Sequence, residues 1–142
     1  MKWITYSKNE AKLSVPHGFK IKTHWPDFFA ETKKGYSTIA IDGNASPASF
    51  GILFDSYKRE PESNEGLAVK KIVSESCEFP LSGWKRVLEF VPLPKGETNW
   101  SWMLFGTTAS GRIVQIHCNS SGSFEEKEPF WEIIFSSIRF DN

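Results

Sequence analysis

Little in this sequence can staple, anchor or charge a fold. Two cysteines, Cys77 and Cys118, are too few for a disulfide framework. They read instead as small apolar residues of the interior. No run approaches the ~20 apolar residues that a membrane-spanning helix requires, so no membrane insertion is expected. Neither sign of charge prevails, with 17 Lys and Arg against 17 Asp and Glu. Nucleic acid is recognised through a basic excess or patch, so it is not the expected partner. The opening residues from Met1 to Glu10 lack the apolar run of a secretory signal, and a cytoplasmic location is expected.

The motifs of catalysis are missing too. His17, His24 and His117 show no metal-ligand spacing with cysteine or carboxylate. His117 and Cys118 are adjacent, so on a strand they point to opposite faces and cannot pair as base and nucleophile. No serine sits in a Gly-x-Ser-x-Gly elbow. The stretch Gly106–Gly111 lacks the lysine of a phosphate loop and does not precede a helix. Asp42, Gly43 and Asn44 resemble a fragment of a calcium loop, but the other ligands are absent and a turn is the simpler reading. The carboxylates Glu60 and Glu62, and Glu125 and Glu126, stand beside helix starts, where capping and solvation account for them. The expectation is no enzyme, no cofactor and no metal.

What the chain has is aromatic bulk: six Trp and twelve Phe among 142 residues. That length suits a single domain, residues 1–142, able to bury roughly two-thirds of its unfolded surface. The most strand-like stretch is Asn99–Ser120, two aromatic and β-branched runs around Ala109, Ser110, Gly111 and Arg112. An even loop puts Met103 and Phe105 on one face with Val114, Ile116 and Cys118. An odd loop puts Trp100 and Trp102 on that face instead, because a one-residue slip exchanges faces. Either register leaves both faces apolar, which places the hairpin centrally in a sheet covered on both sides.

Strands are expected at Trp3–Ser7, Lys12–Val15, Phe19–Thr23, Ser37–Ile41, Ser49–Arg59 and Trp84–Val91. Trp25–Lys34 reads as a short helix with Pro26 in its first turn, or as a loop. A helix is expected from Ser63 or Asn64 to Cys77, with Ala68, Val69, Ile72 and Val73 as its apolar stripe. A last helix is expected after Ser123, whose hydroxyl and Glu126 fit a capping box. Lys127 or Glu128 is a rival start, because Pro129 suits only a first turn. Ile138–Phe140 closes as a short edge strand.

Four stretches give the chain a resemblance to the PsbP-like family. They are Ala11–Phe19, Asn64–Cys77 leading into Trp84–Val91, the hairpin Trp100–Cys118, and Phe130–Phe140. That family includes extrinsic photosystem subunits, a Ran-binding nuclear import factor, and small bacterial chaperones and immunity-type partners of type VI secretion effectors. No catalytic motif defines it, so the resemblance carries over no site residue. It implies an α+β fold, an antiparallel sheet covered by helices on both faces as an α/β/α sandwich. It also implies a non-enzymatic protein that binds other proteins.

The functional expectation is therefore a non-catalytic protein-binding domain, an adaptor, chaperone or immunity-type partner of a bacterial secreted effector. Its partner is another protein, and self-association into a homodimer is compatible with the sequence. Trp25, Phe28, Phe29, Trp84, Trp100 and Trp102 are the candidate partner-binding residues, since aromatics concentrate at interface hot spots. For Trp25, Phe28 and Phe29 the plainer alternative is a plug at one end of the core. A second hypothesis is a carrier with an apolar pocket between sheet and helix, lined by Trp100, Trp102 and Phe135.

Overall fold

In the computed structural model the described residues are 2–8, 10–32, 36–44, 52, 55, 59, 63 and 66–140. They form two antiparallel sheets and one complete helix. The smaller sheet opens and closes the chain. Strands β1 (Trp3–Lys8) and β2 (Ala11–Pro16) make a hairpin, and β10 (Arg139–Phe140) pairs with the other side of β2. Ala11, Leu13 and Val15 are buried at alternate positions of β2, as a strand with one covered face requires.

The larger sheet has the strand order β3-β4-β5-β9-β8-β7-β6. Its members are β3 (Phe19–Thr23), β4 (Asp27–Thr32), β5 (Ser37–Asp42), β6 (Leu67–Cys77), β7 (Ser82–Pro92), β8 (Asn99–Thr107) and β9 (Ile113–Ser121). The hairpin β8–β9 lies at its centre, as its two apolar faces implied. Thr107 pairs with Ile113, so residues 108–112 form an odd loop. Trp100, Trp102 and Leu104 thus share a face with Val114, Ile116 and Cys118. Ser101, Met103 and Phe105 face the other way, and Phe105 is fully buried there.

Helix α1 (Phe124–Ser137) lies on the tryptophan face. The Ser123 hydroxyl accepts from the Glu126 amide at 3.3 Å, the cap foreseen from sequence. A second acceptor comes from β7, where Glu89 takes the Phe124 amide at 3.1 Å. Each satisfies an amide that the first turn leaves without an intrahelical partner. The helix starts well before Pro129, which lies in its interior. Trp131, Ile134 and Phe135 form the buried stripe, while Ile133 stays exposed. At the exit, the Ser137 hydroxyl accepts from the Ser14 amide at 2.9 Å and ties α1 to β2.

Three expectations need correction. The proposed helix over residues 64–77 is β6, an edge strand, over Leu67–Cys77. Its apolar residues mimic helical spacing because the register with β7 shifts between Lys71 and Val73. A bulge there brings both Ile72 and Val73 against the core, so alternation breaks where a helix would repeat. The segment after Trp25 is a turn leading into β4, with no helix. With β6 a strand, the α/β/α sandwich with helices on both faces does not stand: the molecule is mostly β, and α1 covers one face. Of the strand expected at Ser49–Arg59, only Ile52, Asp55 and Arg59 lie among the described residues. Ile52 and Asp55 are helical there.

Candidate partner-binding cleft

The six aromatic candidates do not form one surface. Trp100 and Trp102 are buried under α1. Trp102 stacks on Phe135 with centroids 4.2 Å apart, and Trp100 meets Trp131 edge-on at 4.9 Å. Trp25 and Phe28 are buried at the far end of the same core. The Trp25 amide donates to the Tyr6 hydroxyl at 2.8 Å, and its ring rests on Phe140 under the Arg112 guanidinium. Phe28 packs on Tyr6 at 4.7 Å. These four fill the interior. Phe29 and Trp84 are half-buried on the opposite face. They sit on β4 and β7, with three strands between them, so roughly 19 Å separates them at ~4.8 Å per strand. The Trp84 indole N–H donates to the Ser74 hydroxyl at 2.9 Å.

The concave surface lies elsewhere, where the turn before β7 approaches the end of α1. A cleft of about 240 Å³ runs between that turn, β7–β8 and the helix. Trp102, Leu104 and Phe135 line its apolar side, and Lys85, Glu132 and Arg139 its polar side. A second cleft, about 360 Å³, adjoins it and reaches the β8 end at Thr107 and Thr108. Phe79, Pro80 and Arg139 line both.

Phe79 is 58% exposed, unusual for so large an apolar ring. The Arg139 guanidinium lies 4.5 Å from its centroid, in cation–π range. Arg139 also donates through Nη1 to the carbonyls of Ser136, in the last turn of α1, and of Ile138, just past it. Those contacts hold the guanidinium over the ring. Lys85 pairs with Glu75 at 3.4 Å, and Glu132 accepts from the Ser136 hydroxyl at 3.3 Å. Among the described residues, Arg139 has no carboxylate partner.

Phe79 was not among the residues singled out from sequence. Its signal was an aromatic residue followed by proline between two strands, where no neighbouring position offers cover.

Among the described residues, the one contact resembling a catalytic pair is on the other face. Ser101 Oγ and His117 Nε2 are 2.9 Å apart. Ser101 is buried, no carboxylate among the described residues orients the imidazole, and burial pushes the His117 pKa down. A neutral histidine satisfying a buried hydroxyl accounts for the pair. His117 and Cys118 do face opposite ways, Cys118 lying in the core opposite Trp102. Cys77 and Cys118 are free. They stand on β6 and β9 with two strands between, so they lie at least ~14 Å apart, beyond disulfide reach. Burial raises the pKa of both thiols. No group of histidine, cysteine and carboxylate residues able to hold a metal occurs among the described residues. No helix among them is long and apolar enough to cross a membrane.

No family model matches the chain, and a search of the curated proteins finds no match. The fold does have a counterpart among solved structures. The chain is similar to cyanobacterial PsbP (CyanoP) from Synechocystis sp. PCC 6803, with a TM-score of 0.54 over 97% of this chain and 92% of that one. The fold is PsbP-like. At 10% sequence identity the likeness extends to the path of the backbone and no further.

Proposed function

We propose that this chain is a non-catalytic protein-binding domain of the adaptor type, and that it meets its partner at the clefts beside Phe79. The observation carrying this reading is the contrast in burial: four of the six aromatics singled out from sequence fill the core, whereas Phe79 stands 58% exposed between two clefts. An aromatic ring, a stacked arginine and an adjacent apolar recess are the groups that dominate protein interfaces. The lack of an oriented nucleophile, base and acid among the described residues favours binding over catalysis. Within that class, a bacterial chaperone, adaptor or immunity-type partner of a secreted effector, working in the cytoplasm, is the narrower reading. The sequence resemblance is its support.

The test is cross-linked capture from the source cell by the wild-type chain and by Phe79→Ala. A specific partner, recovered by the first and lost with the second, is the expected result. Equal recovery by both removes the assignment of the surface.

Carriage of a small apolar ligand is the second reading, favoured by the recess where Trp102 and Phe135 meet between sheet and helix. Its volume of about 240 Å³ falls below the ~300–1,000 Å³ of usual ligand pockets, and Trp100 does not line it. Native mass spectrometry of the freshly purified protein distinguishes the two, since a carrier retains a ligand.

A further inference from the structure

Among the described residues the two sheets end in four edge strands, β1, β10, β3 and β6. An edge exposes a row of main-chain donors and acceptors, which proteins ordinarily blunt. Three of the four are blunted. β3 carries Lys20 and Lys22, and its register shifts between Ile21 and Thr23. β6 carries Lys70 and Lys71 beside its bulge. β10 is two residues long. The fourth edge, β1, pairs with β2 without a shift, and Trp3–Ser7 holds no proline and no charge. Lysines stand only at its ends, Lys2 and Lys8.

The phase of the β1–β2 ladder says which groups face outward. The His17 amide donates to the Lys2 carbonyl at 2.9 Å, so Lys2 and His17 form a hydrogen-bonded pair. Such pairs alternate along an antiparallel ladder, and the next are Ile4 with Val15, Tyr6 with Leu13 and Lys8 with Ala11. Pro16, which has no N–H, then falls at a non-bonded position opposite Trp3. At the following one, the Thr5 and Ser14 hydroxyls meet at 3.1 Å. Trp3, Thr5 and Ser7 therefore turn their N–H and C=O away from β2. None of these groups has a main-chain partner among the described residues, and Ile4, Thr5 and Ser7 are exposed.

We propose that β1 is a self-association edge, to which a second copy of this chain adds its own β1, antiparallel, across a two-fold axis at Thr5. In that register Thr5 faces Thr5, Trp3 faces Ser7 and Ile4 faces Tyr6 of the other copy. All three outward-facing residues find bonded pairs, about six hydrogen bonds in total. Threonine with threonine, and Ile4 with an aromatic ring, are favourable cross-strand pairs, and Ile4, 40% exposed, gains cover. Lys2 of one copy faces Lys8 of the other at each end, which weakens the dimer without blocking it. A six-residue ladder buries less than a standard interface, so association is weak and concentration-dependent. The two-fold occupies the edge in both copies, and assembly stops at two.

Sedimentation velocity of the pure chain, from micromolar to millimolar concentration, should show the mass rising from 16.2 kDa towards twice that value and no further. Amide exchange should slow with concentration at Trp3, Thr5 and Ser7, and stay unchanged at Ile4, Tyr6 and Lys8, which already bond to β2. Thr5→Pro removes an outward donor and no bond to β2, so it should keep the circular dichroism spectrum and stay monomeric. Lys8→Glu turns both end contacts into opposite-charge pairs and should tighten the dimer about three- to tenfold. Added salt should tighten the wild-type dimer and loosen that of Lys8→Glu. The exchange pattern and Lys8→Glu decide the matter even if the proline variant fails to fold. A chain that stays monomeric at millimolar concentration overturns the proposal. So does a dimer that survives Thr5→Pro, is weakened by Lys8→Glu, slows exchange at other residues or grows into larger species.

Discussion

Trp100 and Phe79 lie on either side of one boundary. Trp100 is fully buried on β8, next to the central strand of the larger sheet, with Phe124, Trp131 and Phe135 around it. Phe79 stands in a turn one layer outside, held by a cation rather than by a core. Both are large aromatic residues. The first is enclosed on every side and serves the fold. The second keeps more than half its area in water, which costs solubility without stabilising the fold unless something covers it. Composition alone does not separate the two roles; position in the sheet does.

The largest effect expected is at the inner site. Trp100→Ala should destabilise the fold by about 3–5 kcal/mol in urea denaturation, since it empties a closed cavity between sheet and helix. Trp100→Phe should cost clearly less, because it retains a ring and removes an indole N–H that has no acceptor among the described residues. A loss under about 1 kcal/mol for the alanine variant would mean that the core is not built around this ring.

Next in size is Gly106→Ala. Gly106 faces Gly83 across β7 and β8, and a Cβ at position 106 would run into the Ser82 carbonyl. The two backbones approach so closely only because both positions lack a side chain. A loss of about 1–3 kcal/mol is expected, measured in the same way. A neutral result would show that the strands have room to separate.

Glu89→Gln should cost about 0.5–2 kcal/mol, since it weakens the acceptor holding the first amide of α1. The comparison is sharpest when Phe79→Ala is measured beside it. That variant should change stability by no more than about 0.5 kcal/mol, the usual range for an exposed site. A larger loss would make Phe79 part of the core and erase the distinction between the two regions.

The smallest effect concerns pH. Burial holds the His117 pKa below its ordinary value of 6.5. The folded state then binds a proton less readily than the unfolded chain. The contribution of His117 is complete above pH 6.5 and declines as the pH falls from there towards the folded-state value. The urea midpoint should drop between pH 7.5 and pH 5.5, and His117→Gln should reduce that drop. An unchanged drop would place the titrating group elsewhere.

Much of the fold was legible because several strands alternate between buried and more exposed positions. β9 does so along its whole length, and the two apolar faces of the β8–β9 hairpin announced its central position. The cap at Ser123 was legible because hydroxyl-to-amide capping is a local pattern. β6 was misread because its bulge at Ile72 replaces a period of two with apolar pairs four residues apart, which is also how a helix repeats. That single misreading removed a strand and added a helix, and with it came the sandwich covered on both faces. The loop parity between β8 and β9 was open because a turn rich in Gly and Ser accommodates either count. The candidate site was the least legible part. Its members come from the turn before β7, from two central strands and from the end of α1, and no local pattern links them. Large aromatics drew attention in the expected strands and in the segment after Trp25, where burial was their simplest use, and Phe79 drew none.

The account turns on whether the exposed ring is where another protein arrives. Site-specific photo-cross-linking in the source cell tests this directly, with Phe79→p-benzoylphenylalanine compared with the same replacement at Ile133, which is 53% exposed on the outer side of α1. A discrete protein adduct at position 79, absent at position 133, is the predicted result. No adduct at 79, or the same adduct at both positions, would contradict it.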